Sequence, residues 1–90
     1  MKKVYIFNIE KPWVNVEVEK EWKIPETPRA YQNKNDAIEI AIDVVKKFNQ
    51  IIENDMWFLP IPLEPQVAEN KLFWGNKNAF YVEVVEMDVL

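Results

Sequence analysis

The sequence predicts an α+β domain. One long amphipathic helix packs on one face of a three- to four-stranded, antiparallel-dominated sheet, in the order ββ(β)αβ(β). Three observations carry this. Residues 13–22 alternate apolar and polar side chains with period two, as a half-buried strand does. Residues 36–54 place apolar side chains at helical spacing. Residues 79–90 return to alternation, rich in valine.

The elements follow in order. Val4 to Ile9 is an apolar, β-branched and aromatic run of strand length, and Glu10-Lys11-Pro12 turns the chain, since proline offers no amide proton to a ladder. In the next strand Val14, Val16, Val18 and Trp22 share one face, and Trp13, Asn15, Glu17, Glu19 and Glu21 share the other. With the first strand it reads as a hairpin. Residues 24–35 form a connection with two prolines, in which Ala30-Tyr31-Gln32 allows a short third strand. The helix begins at a capping-box-like Asp36-Ala37-Ile38-Glu39, with Asn35 an equally suitable cap, and stops at Asn54. Its apolar residues, from Ala37 to Ile52, span an arc of roughly 200° at 100° per residue. An arc that wide needs more cover than one sheet face supplies, and the proline-punctuated run at residues 56–65 is the expected cover. Residues 69–74 read as a short strand or helical turn, and residues 75–78 as a turn in which Gly75 and asparagine supply positive φ. In the last strand Phe80, Val82 and Val84 share one parity and Val85, Met87 and Val89 the other. A β-bulge near Val84-Val85 is expected to bring both sets to the core.

Ninety residues make one domain, 1–90. The chain is 49% hydrophobic and 13% aromatic, which suits a small but efficient core. No apolar run approaches the ~20 residues of a membrane span, and the apolar start is too short for a signal peptide. With no cysteine as well, a cytoplasmic protein is expected.

What is missing narrows the chemistry. The chain has no His, Cys or Ser, one Thr (Thr27) and one Gly (Gly75). Serine and cysteine nucleophile systems, His/Cys zinc sites and glycine-rich phosphate loops are therefore excluded. No catalytic residue, cofactor or metal is expected. Glu83 and Glu86 fall on opposite strand parities and converge poorly for acid–base work. The net charge of −4, with the single arginine Arg29, argues against nucleic acid and for a protein partner with a basic surface.

Two stretches are candidates for that contact. Trp13, Asn15, Glu17 and Glu19 present an acidic ridge beside an aromatic anchor; the plain alternative is a solvated strand exterior. Trp57, Phe58, Leu59 and Ile61 form an extended apolar strip for docking, or else cover the helix flank. Edge strands also leave room for a homodimer.

Several local stretches resemble HicB-type antitoxins, whose domain is a reduced ribonuclease-H-like fold. They are Ile24-Pro25-Glu26-Thr27-Pro28, the helix from Asp36, Leu59-Pro60-Ile61-Pro62 and Tyr81-Val82-Glu83-Val84. The chain departs from that pattern in lacking glycines in the first hairpin, after the Pro-x-x-Pro segment and before the helix. Its 90 residues also hold no DNA-binding helix-turn-helix or ribbon-helix-helix. The resemblance implies a role in binding and neutralising a small toxin ribonuclease, whose RNA-binding surface would be basic. The expected function is thus a non-catalytic module that sequesters or inhibits a partner protein. The alternatives are a phage-type inhibitor of a host nucleic-acid enzyme and a small-ligand-binding domain.

Overall fold

A computed structural model describes residues 2–10, 26–52 and 60–89. In chain order the elements are β1 (Lys2–Glu10), β2 (Arg29–Tyr31), α1 (Lys34–Ile52), β3 (Gln66–Ala68), β4 (Lys71–Asn76) and β5 (Phe80–Val89). The strands form one antiparallel sheet in the order β2-β1-β5-β4-β3, and α1 lies against β1, β5 and β2. The α+β class is as the sequence predicts, and the described residues alone form five strands rather than the three or four expected. No described helix is long and apolar enough to cross a membrane. Residues 13–22, expected to form the second strand, lie outside the described residues.

The helix starts two residues earlier than its cap pattern suggests. Asn33 is the cap: its Oδ1 accepts the Asn35 N–H at 2.8 Å, and its carbonyl accepts the Ala37 N–H at 3.3 Å. Asp36 instead sits in the first turn, where a negative charge favours the helix dipole. Ala37, Ala41, Val44, Val45 and Phe48 are buried against Phe7, Ile9, Trp74, Phe80, Val82 and Val84. The Phe48 and Phe80 rings stack with centroids 4.2 Å apart.

Part of the wide apolar arc is covered by the proline-punctuated stretch. Ile61 is buried beside the C-terminal half of α1, held by a two-point clamp. Asn49 Nδ2 donates to the Ile61 carbonyl and Asn49 Oδ1 accepts the Ile61 N–H, both at 2.8 Å. The flanking Pro60 and Pro62 carry no N–H, so one asparagine satisfies the backbone donors of this stretch. Trp74 Nε1 donates to the Leu63 carbonyl at 2.8 Å and fixes the next residues. Gly75, at φ 82°, lets the chain pass: a Cβ there would lie 2.1 Å from the Phe80 carbonyl oxygen and 3.1 Å from Ile61 Cδ1.

The expected bulge in β5 is absent. Pairing with β1 runs unbroken from Tyr81↔Glu10 to Val89↔Lys2, through Val84↔Phe7 and Val85↔Ile6. A bulge would break a ladder that β1 and β4 support from both sides at Val84 and Val85. The two apolar sets therefore part. Phe80, Val82 and Val84 face the helix, while Val85, Met87 and Val89 share the outer face with Val4 and Ile6.

Replacing Asn49 with alanine strands the Ile61 N–H and C=O together, and should cost about 2 kcal/mol in urea unfolding. Gly75→Ala combines positive φ with a backbone clash and should cost at least as much. A loss below 0.5 kcal/mol (roughly the size of a surface substitution) for either would show that this corner does not hold the fold.

Candidate partner-binding surface

Among the residues named from sequence as contacts, Trp13, Asn15, Glu17, Glu19, Trp57, Phe58 and Leu59 lie outside the described residues. Ile61 is placed, and it is 9% exposed, spending its side chain on the protein's own core. The covering role weighed for that strip is the one Ile61 plays.

The described residues supply a different surface. Asp36, Glu39, Ile40 and Asp43 stand at i, i+3, i+4 and i+7, which aligns them along one face of α1. Tyr31, on β2, faces them, and the five residues line an open groove of about 390 Å³. Its floor is half-buried Tyr31 and Ile40; its rim is three exposed carboxylates. Asp43 pairs with Lys47 at 2.9 Å, whereas Asp36 and Glu39 have no ion-pair partner among the described residues. The Arg29 guanidinium lies 5.3 Å from the Tyr31 ring centroid, so that ring already carries one cation. The groove was legible in part: the spacing of Asp36, Glu39 and Asp43 is plain in the sequence, but the approach of Tyr31 is not.

On the outer face of the sheet Lys71, Lys77 and Glu83 are engaged internally. Lys71 Nζ lies 3.5 Å from Glu83 Oε2 and near the Phe73 and Tyr81 rings, at 5.6 and 5.8 Å from their centroids. Tyr81 Oη donates to Glu83 Oε2 at 2.9 Å, and Lys77 Nζ lies 5.2 Å from the Tyr81 ring centroid. Hydrogen bonding and charge from Tyr81, with a smaller effect of Glu83, hold the Lys71 ammonium above its ordinary 10.5. Burial, aided by Glu83 and opposed by Lys71, holds the Tyr81 phenol above its ordinary 10.0. Neither shift activates a nucleophile, since both groups keep their protons more firmly. Glu83 and Glu86 lie on opposite faces of the sheet, Asn8↔Glu83 on the outer face and Tyr5↔Glu86 on the helix face.

A second depression, of about 130 Å³, lies where the start of α1 meets the β3–β4 turn, lined by Tyr5, Lys34, Val67, Leu72, Val84 and Glu86 among others. It is well below the roughly 300–1,000 Å³ of sites that enclose a small-molecule ligand.

Comparison of the chain with protein-family models, with curated proteins and with solved structures finds no match in any of the three.

Because both raised pKa values belong to the folded state, unfolded chains release these protons first as pH rises past about 10. Stability from this cluster is complete below that point and is lost above it. In a Tyr5→Phe/Tyr31→Phe background, phenolate absorbance should show Tyr81 titrating above 10.0 in folded protein, and falling toward that value in urea. Equal midpoints in the two states would remove the cluster from the account of alkaline stability.

Proposed function

We propose that this protein is a non-catalytic binding module that sequesters or inhibits a partner protein bearing a basic surface, in the manner of an antitoxin. The observation that carries the reading is the groove between β2 and α1. It has an aromatic and aliphatic floor and a carboxylate rim, and two of those carboxylates lack an ion-pair partner among the described residues. A lysine or arginine side chain has the matching anatomy: an apolar stem and a charged head. Asp36 also stabilises the helix N-terminus, but Glu39 and Asp43 lie beyond the first turn, where that effect fades.

Net charge −4 adds to the groove a long-range pull on cationic partners. The small-ligand alternative draws less support, since the depression at the start of α1 is small and the groove is open. Inhibition of a nucleic-acid enzyme through its basic groove uses the same surface, so the two partner-binding readings differ in partner and not in mechanism.

The test is stoichiometric association with the product of an adjacent gene, followed by calorimetry at two salt concentrations. Affinity should fall as salt rises, and Glu39→Lys/Asp43→Lys should weaken it about tenfold or more, a change of about 1.4 kcal/mol. Binding indifferent both to salt and to that charge reversal would overturn the assignment of the groove.

A further inference from the structure

The sheet is ragged at one end. β1 and β5 run together as far as Lys2↔Val89, but β2 pairs only with Tyr5–Phe7, and β4 leaves β5 at Lys71↔Val85. Among the described residues, the last β5 residues thus have a strand neighbour on the β1 side alone. Their backbone phase is fixed by one bond: the Glu86 N–H donates to the Asn70 carbonyl at 2.8 Å. In an antiparallel strand every second residue points its N–H and C=O the same way. Met87 and Val89 therefore bond toward β1. Asp88 aims both groups outward, past the Glu69-Asn70 turn, where no described strand lies.

The side chains beside this open edge sort by face. Glu86 and Asp88 lie on the helix side. Lys3 bridges to Glu86 at 3.5 Å, and Asp88 has no ion-pair partner among the described residues. On the outer side Met87 and Val89 are 51% and 41% exposed. Both margins of the sheet already consist of three-residue strands, β2 and β3, so a short added strand is within its habit.

We infer that the edge at Met87-Asp88-Val89, open among the described residues, receives an extended segment of the partner by strand addition. The added segment bonds its backbone to the Asp88 N–H and C=O. Its cationic residues lie beside Asp88 and Glu86, and its apolar residues beside Met87 and Val89. The occupant is thus an alternating apolar and cationic strand. This rests on the reading of a basic partner and adds the mode and the place of capture.

The probe is a blocked hexapeptide of alternating valine and lysine, titrated into ¹⁵N-labelled protein, with a valine–glutamate peptide as control. Saturable shifts should centre on Met87–Val89, with slowed exchange of the Asp88 amide, for the lysine peptide alone. Asp88→Asn keeps the N–H and loses the charge, so it should weaken binding several-fold. Asp88→Pro removes the outward N–H without touching a bond to β1, and should abolish it. N-methylation of alternate peptide residues needs no protein variant: one phase should abolish binding and the other spare it. Shifts confined to Tyr31, Asp36 and Glu39 would overturn strand addition while leaving the basic-partner reading standing. Equal binding of the glutamate peptide, or no shift at all, would overturn the inference outright.

Discussion

The described fold depends on closure of one corner, where the C-terminal half of α1 meets the β4–β5 turn. Phe48 stacks on Phe80, Asn49 clamps Ile61, Trp74 holds Leu63, and Gly75 admits the Phe80 carbonyl. These contacts are not independent. Ile61 Cδ1 and the Phe80 carbonyl flank the same missing Cβ, so the seat of the proline strip and the shape of the turn share one glycine. The sheet covers only one side of the helix's apolar arc, and Ile61 joins the buried cluster there as a residue of a loop. A loop can enter a core only if its amides are satisfied. Two prolines and one asparagine meet that condition with the fewest polar atoms.

The parts of this architecture that are legible in the sequence are those set by periodicity. The helix from Asp36 onward, the short strand near Tyr31 and the two-parity pattern of β5 all show as patterns of apolar spacing. What periodicity cannot settle is where equal local options compete. Asn33, Asn35 and Asp36 are all competent caps, and only the observed bonds to Asn33 choose among them. Val85, Met87 and Val89 are equally consistent with a bulge or with a strand apolar on both faces. The decision belongs to the ladders on either side, which are not local. β3 leaves almost no trace, because in three residues with Val67 78% exposed there is no buried face to betray it. The need for a helix cover is legible from arc width, but the asparagine that fixes it is not.

The candidate site was less legible than the fold for a related reason. A contact surface is a matter of which charges remain after the protein has used the others. Lys3 is engaged with Glu86, Lys47 with Asp43, and Lys71 with Glu83 and two rings, while Lys77 lies over Tyr81. The more exposed of these pairs, Lys3–Glu86 and Lys47–Asp43, contribute little to stability. The larger effect of all these contacts is on the pattern of the field, because they engage charges on the sheet's outer face and at its end. They leave Asp36 and Glu39 without an ion-pair partner among the described residues, beside Tyr31. A count of acidic and basic residues gives the sign of this field, and only the fold gives its location.

The two acidic features also share one end of the domain. Lys34, the first residue of α1, lines the same depression as Glu86, and Asp36 follows it by half a turn. A strand seated at Asp88 would therefore lie near the start of the helix that carries Asp36, Glu39 and Asp43. One basic partner could present a strand to the edge and a side chain to the groove in a single approach. The edge offers only the two outward groups of Asp88, which is too little for tight binding on its own. The groove offers charge but no directional backbone pairing. Coupling them places direction in one and attraction in the other, and linked weak contacts hold far more strongly than either does alone.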